Sequence, residues 1–253
     1  MGTKRKSLHG QVAKAVRPTS ELERFPRPSL AVDVVALTVE AGELRVALYK
    51  RADPPQRGHF ALPGGFMHIH ESIEAAAARV MAQKIGLAGV FLEQLYTFGD
   101  LRRDPRGRVV TVSYYALVDA RRFHAGGKRA PAALSARVVV PWPGETGGPV
   151  DLVGDDGKSL PMFLDHADIL GLAVKRLRGK LDYSPVGFQL LPTEFTLRQL
   201  QEVHEAVRGE PVNKDSFRRR MLASGLLEAT GAHEREVVHR PAELYRFTRR
   251  SAT

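Results

Sequence analysis

The chain has 253 residues, a formal net charge of +10 and no cysteine. That length suits one or two domains with a sizeable core, and the absence of cysteine excludes disulfides, zinc–thiolate sites and thiol nucleophiles. No apolar run approaches the ~18 residues of a membrane-spanning helix.

Residues 1–28 carry seven Lys/Arg against two Glu and end at Pro26 and Pro28. They read as a flexible basic arm. No apolar stretch follows the basic residues, so the segment is not expected to be a secretory signal, and a cytoplasmic protein is the simplest reading. The basic balance favours a polyanionic partner such as nucleic acid, or serves solubility alone. The run "LAVDVVALTV" (30–39) reads as a buried strand, and "ELRVALYKR" (43–51) as its partner across a short turn. "QRGHFALPGG" (56–65) reads as a strand fragment ending in a Pro-Gly-Gly turn, followed by a helix over 72–86 with Ser72 as N-cap and Gly86 as stop. Two further strands are expected over 91–100 and 109–119, separated by the turn "DPRGR". An amphipathic helix is expected over 165–184.

Beyond about Asp182 the pattern changes. Two short helices, 196–209 and 213–225, precede two strands around a polar loop. The order helix–turn–helix–strand–wing–strand describes a winged helix-turn-helix. In the second helix, Asn213 suits the cap. Phe217, Met221 and Leu222 are expected on the core side, with Lys214, Arg218 and Arg219 facing a DNA groove. His239 and Arg240 would stand near the wing tip. Residues 182–253 hold eleven basic against ten acidic side chains, so DNA affinity there would have to come from local clustering.

The chemistry concentrates in "GGFMHIHESIEAAAARVMAQKIGL" (64–87). A turn at Gly64 and Gly65 ahead of a helix favours anions. Residues 80, 83 and 84 share one helix face, where carboxylates would gather a hard divalent cation; here they are Val80, Gln83 and Lys84. No metal is therefore expected on that face. Lys84 is either a substitute for the metal's charge or a solvated lysine near the helix end. Two other routes to a metal stay open. His68 and His70 with Glu71 form one, and the scattered Asp100, Asp104, Asp119 and Glu145 form the other.

Gly65, Glu71, Arg79, Gly86 and Leu87 match the spacing of the Nudix box, G-x5-E-x7-R-E-U-x-E-E-x-G-U, with Met81 at the inner aliphatic position. With the winged helix behind it, the chain resembles the Nudix-related transcriptional regulators of the NrtR group over roughly residues 29–250. The resemblance implies a Nudix α/β/α sandwich with a mixed sheet over 29–181 and a winged helix-turn-helix over 182–253. It further implies a homodimeric repressor of NAD-metabolism genes, with double-stranded operator DNA and a nucleotide effector such as ADP-ribose as partners. Glu71, Arg79 and Gly86 would be structural, and neither a catalytic residue nor a cofactor is expected. Effector contacts are expected from Gly64, Gly65 and Lys84, from Arg51 at a strand end, and from Phe98 and Arg102 after the next strand. The competing readings are a Nudix hydrolase of a nucleoside diphosphate derivative with relocated metal ligands, and the same regulator with ATP, NAD or a sugar derivative as effector.

Overall fold

The computed structural model describes residues 25–130, 132–181, 184–235 and 241–248. Its first part is built on strands β1 (Ser29–Glu40), β2 (Glu43–Lys50), β3 (Phe60–Ala61), β4 (Gly64–Phe66), β5 (Phe91–Phe98), β6 (Val109–Leu117), β7 (Ala133–Val139) and β8 (Asp151–Val153). The sheet runs β5-β6-β1-β2-β7-β8, with β3 on β2 and β4 on β1. β1 and β6 are parallel, from Ser29 opposite Val109 to Leu37 opposite Leu117, and β1 pairs antiparallel with β2. The sheet is therefore mixed. β1 is apolar and buried on both faces, as the central strand of a covered sheet requires. Val32, Val34 and Ala36 point to one core, and Val35 and Leu37 to the other.

On the first face lie α1 (Ile73–Ile85) and α2 (Ala120–Arg129). The Ser72 side chain accepts a hydrogen bond from the Ala75 N–H at 3.1 Å, and Gly86 closes α1 in the left-handed region at φ 67°. A Cβ at Gly126 of α2 would stand 2.7 Å from the Ile85 carbonyl oxygen, so that glycine lets the two helices meet. On the second face lies α3 (His166–Lys180), which packs Ile169, Leu170, Ala173, Val174 and Leu177 onto the sheet.

A 3-10 helix over Pro185–Leu190 leads into β9 (Glu194–Phe195), α4 (Leu197–Arg208), α5 (Lys214–Ala223), β10 (Leu227–His233) and β11 (Glu243–Phe247). The second sheet runs β10-β11-β9. This is the winged helix, with β9 as a third strand. Its core residues Phe195, Leu200, Val203, Val207, Phe217 and Tyr245 belong to the same buried cluster as the α3 face. One continuous apolar core thus joins the two parts.

Three expectations change. Gly64 and Gly65 are not a turn: they lie in β4, where Gly64 pairs with Asp33 and Gly65 with Val32. The helix expected to reach residue 184 ends at Lys180. Leu222 is 44 % exposed. Phe217 and Met221, one turn apart, take the inner side of α5, and residue 222 falls around the helix from them.

Candidate functional site

A cavity of about 160 Å³ opens where five chain segments meet. β1 contributes Ala31 and Asp33, the end of β2 contributes Tyr49 and Arg51, and β4 contributes Gly64, Gly65 and Phe66. The loop after β5 adds Arg103, Asp104 and Arg106, and the approach to α3 adds Phe163, Leu164 and His166. Gly64 is needed here because a Cβ would overlap the Asp33 carboxylate.

Each arginine of the cavity is held in place. Arg51 donates to the carbonyls of Pro55 at 3.1 Å and Pro54 at 3.3 Å, and its guanidinium lies 3.8 Å from the Phe163 ring centroid. Arg103 forms a two-pronged pair with Asp165 at 2.9 and 2.8 Å. Burial opposes the Arg103 charge, yet the carboxylates of Asp165, Asp33 and Asp104 together outweigh it and hold the guanidinium above its ordinary pKa. Arg106 donates to Asp104 at 2.9 and 2.6 Å, which pulls the Asp104 carboxyl below its usual range. His166 Nδ1 accepts the Leu62 N–H at 2.9 Å, and burial lowers the ring's pKa, so the imidazole is neutral.

Of the residues expected to meet an effector, Arg51, Gly64 and Gly65 line this cavity. Lys84, Phe98 and Arg102 lie outside its lining. The Lys84 ammonium stands 5.0 Å from the Tyr49 ring centroid, on an exposed stretch of α1. Phe98 packs edge-on against Tyr96 at 5.3 Å on strand β5. Arg102 is exposed, whereas its neighbour Arg103 is buried and Arg106, itself exposed, reaches the cavity rim. Asp33, Tyr49, Arg103, Arg106, Phe163 and His166 line the cavity too and were not among the expected contacts. The run "DLRRDPRGR" was a usable signal for the two arginines; the others come from distant segments and carry no local one.

The Nudix-box residues take defined places. Arg79 donates to Glu71 at 2.9 and 2.6 Å and to the Phe66 carbonyl at 3.0 Å, and Glu71 accepts the His68 N–H at 2.7 Å. The pair clamps the loop before α1 to the helix. The hydrogen bond from Arg79 pulls the Glu71 carboxyl down to about 2. Val80 is buried, and a Cβ on Gly65 would stand 3.4 Å from it, whereas Gln83 and Lys84 are exposed. Asp100 accepts the Arg102 N–H at 2.8 Å and Asp119 caps α2, while Asp104 is paired with Arg106. Among the described residues, no group of three or more His, Asp or Glu side chains is placed to hold a metal ion. No helix among them is long and apolar enough to cross a membrane.

On the winged helix, the Asn213 side chain accepts the Ser216 N–H at 3.0 Å and starts α5. Lys214, Arg218 and Arg219 are exposed, and the Arg220 guanidinium lies 5.6 Å from the Phe217 ring centroid. His239 and Arg240 lie outside the described residues.

Two family models match the chain: the NUDIX domain over residues 27–136 and the NrtR DNA-binding winged helix domain over residues 187–247. The "ADPR responsive transcriptional repressor NtrR" of Acinetobacter baylyi is 33 % identical over 225 residues, which is 88 % of this chain and 83 % of that protein. The "ADP-ribose pyrophosphatase" of Methanocaldococcus jannaschii is 31 % identical over 110 residues, 44 % of this chain and 63 % of that one. Among solved structures, Shewanella oneidensis NrtR in complex with a 27mer DNA matches with a TM-score of 0.71 and 34 % identity, over 86 % of this chain and 93 % of that one.

Proposed function

From the premise that this chain belongs to the NrtR family of Nudix/winged-helix transcriptional repressors, we propose that it is a non-enzymatic sensor. In this reading ADP-ribose, or a closely related nucleotide, enters the cavity beside α3 and weakens the grip of the winged helix on operator DNA. The genes controlled are those of NAD metabolism, and the protein works in the cytoplasm as a homodimer that presents two α5 helices to successive major grooves. Residues 29–181 form the sensor and 182–253 the reader, with the 1–28 arm adding positive charge.

The observation that carries the reading is the path of α3. Near its start, Asp165 holds Arg103 of the cavity and His166 lines it. Near its end, buried Arg178 donates to the Val207 carbonyl of α4, the first helix of the helix-turn-helix, at 2.8 Å. A ligand that displaces the Arg103–Asp165 pair acts on a rigid element whose other end holds the DNA reader. The cavity chemistry also suits the ligand: guanidinium groups favour a diphosphate, and Phe66, 47 % exposed, offers an apolar face.

The absence of catalysis rests on Val80, Gln83 and Lys84 at the positions that bind metal in active Nudix enzymes. A buried valine offers no ligand, and an ammonium at 84 repels a cation. The pyrophosphatase resemblance makes hydrolysis the reading to exclude. Calorimetry with ADP-ribose under excess chelator, together with an AMP-release assay in Mg2+ and Mn2+, tests the proposal. Binding without metal and without turnover is expected; strictly metal-dependent binding, or AMP release that saturates with ADP-ribose, overturns it.

A further inference from the structure

The cavity contains a carboxylate with no hydrogen bond. Asp33 is only 7 % exposed, and its contacts with Arg103 at 3.5 Å and His166 Nε2 at 3.8 Å are not hydrogen bonds. Arg103 directs both Nε and a terminal nitrogen at Asp165 and leaves Asp33 with an ion contact only. A buried carboxylate normally collects donors, because leaving it short of them costs free energy. Gly64 makes room for this carboxylate in particular, since a Cβ there would overlap it.

His166 supplies the complement. Its Nδ1 accepts the Leu62 N–H, so the single proton of the neutral ring sits on Nε2. That N–H is the atom that faces Asp33. A fixed donor and a fixed acceptor thus stand 3.8 Å apart on the cavity wall, too far to satisfy each other. One oxygen at ordinary hydrogen-bond length can meet both.

We infer that Asp33 and His166 form a hydroxyl reader, which selects an effector carrying a sugar hydroxyl at this point over one carrying only phosphate. A hydroxyl accepts from His166 Nε2–H and donates its own proton to Asp33. A phosphate oxygen at neutral pH accepts from the histidine but has no proton for Asp33, and its charge is repelled there. This rests on the effector reading above and adds to it the group that distinguishes a nucleoside diphosphate sugar from a nucleoside diphosphate.

The test is calorimetry on the full chain with ADP-ribose, ADP, AMP and ribose 5-phosphate, for wild type, Asp33→Ala and His166→Asn. The asparagine retains an oxygen to accept the Leu62 N–H while removing the Nε2 donor. Wild type should prefer ADP-ribose to ADP by about tenfold or more, a comparison that needs no variant. Asp33→Ala should weaken ADP-ribose about 10- to 100-fold, the range for a hydrogen bond to a charged group, and His166→Asn about 5- to 10-fold. ADP should change by about twofold or less in both. Ribose 5-phosphate should lose affinity in the variants and AMP should not, since the hydroxyl belongs to the distal ribose; the reverse would place it on the adenosine ribose, which ADP shares, and overturns the inference. Equal wild-type affinity for ADP and ADP-ribose, or equal losses for both in a folded variant, overturns the inference and leaves the effector reading standing. Wild type that binds none of the four ligands overturns both.

Discussion

Replacing Arg178 by methionine removes the polar link between sensor and reader while keeping most of the aliphatic stem. Arg178 is 8 % exposed. Its Nε donates to Val207 O at 2.8 Å, and Nη1 donates to Gly144 O at 2.8 Å and Trp142 O at 3.2 Å. Burial lowers its pKa, but a guanidinium stays charged at any working pH. Val207 lies in the last turn of α4, where carbonyls have no partner in their own helix, so the variant strands it and two loop carbonyls together. Bonds from a charged donor are worth about 1.5–3 kcal/mol each in isolation, and the loss is partly offset by easier desolvation of methionine; about 3–5 kcal/mol of destabilisation is the expectation. Urea unfolding measures it, followed by the fluorescence of Trp142, the single tryptophan, whose ring centroid lies 4.9 Å from the guanidinium. Under conditions where the variant is still folded, its DNA affinity should respond to ADP-ribose several-fold less than that of wild type. A loss below about 1 kcal/mol with an unaltered effector response would refute the role given to this residue.

Other expectations follow from the same geometry. Gly171→Ala should destabilise by about 3 kcal/mol or more in thermal melts, because a Cβ there would overlap the Gly148 carbonyl where α3 passes the loop; a melting point within about 2 °C of wild type counts against that close approach. Glu71, held down to about 2 from an ordinary 4.5, adds stability that is fully present above about pH 4.5 and fades as pH falls toward 2. The stability gap between wild type and Glu71→Gln should follow that course, and a gap independent of pH would show that the folded state does not depress this carboxyl. Arg218→Ala or Arg219→Ala should weaken DNA binding by about 1–3 kcal/mol and relax preference at one base if the residue reads a guanine edge. A uniform loss across sequences, with the salt slope falling by about one, assigns it to phosphate instead. Unchanged affinity in the double variant removes α5 as the reader.

Local signals explain what could be read in advance. β1 is apolar along its buried stretch apart from Asp33 and Thr38 because both its faces are covered, and α1 carries its own start and stop in Ser72 and Gly86. The winged helix was legible from Asn213, the spacing of Phe217 and Met221, and the two strands that follow. α2 was not, because "ARRFHAGGKR" offers one large apolar side chain and two glycines; Asp119 caps it, and Gly126 lets it meet α1. β8 and β9, at three and two residues, exist through tertiary pairing alone. The cavity was the least legible part. Asp33 reads as one polar residue in a buried strand, and His166 as the start of an amphipathic helix; only the crossing of β1, β4 and α3 brings them together. Arg102 and Arg103 are indistinguishable in the sequence, and the loop after β5 turns only the second inward.

On the proposed function, a ligand in the Nudix cavity controls DNA binding without being consumed. This control is tested most directly by fluorescence anisotropy with a labelled duplex that the protein itself selects from a random library, titrated with and without ADP-ribose in excess chelator. ADP-ribose should lower DNA affinity by about tenfold or more and be recovered intact, and Asp33→Ala should shift the response to higher ligand concentration. DNA affinity indifferent to ADP-ribose at concentrations that fill the cavity by calorimetry would contradict it.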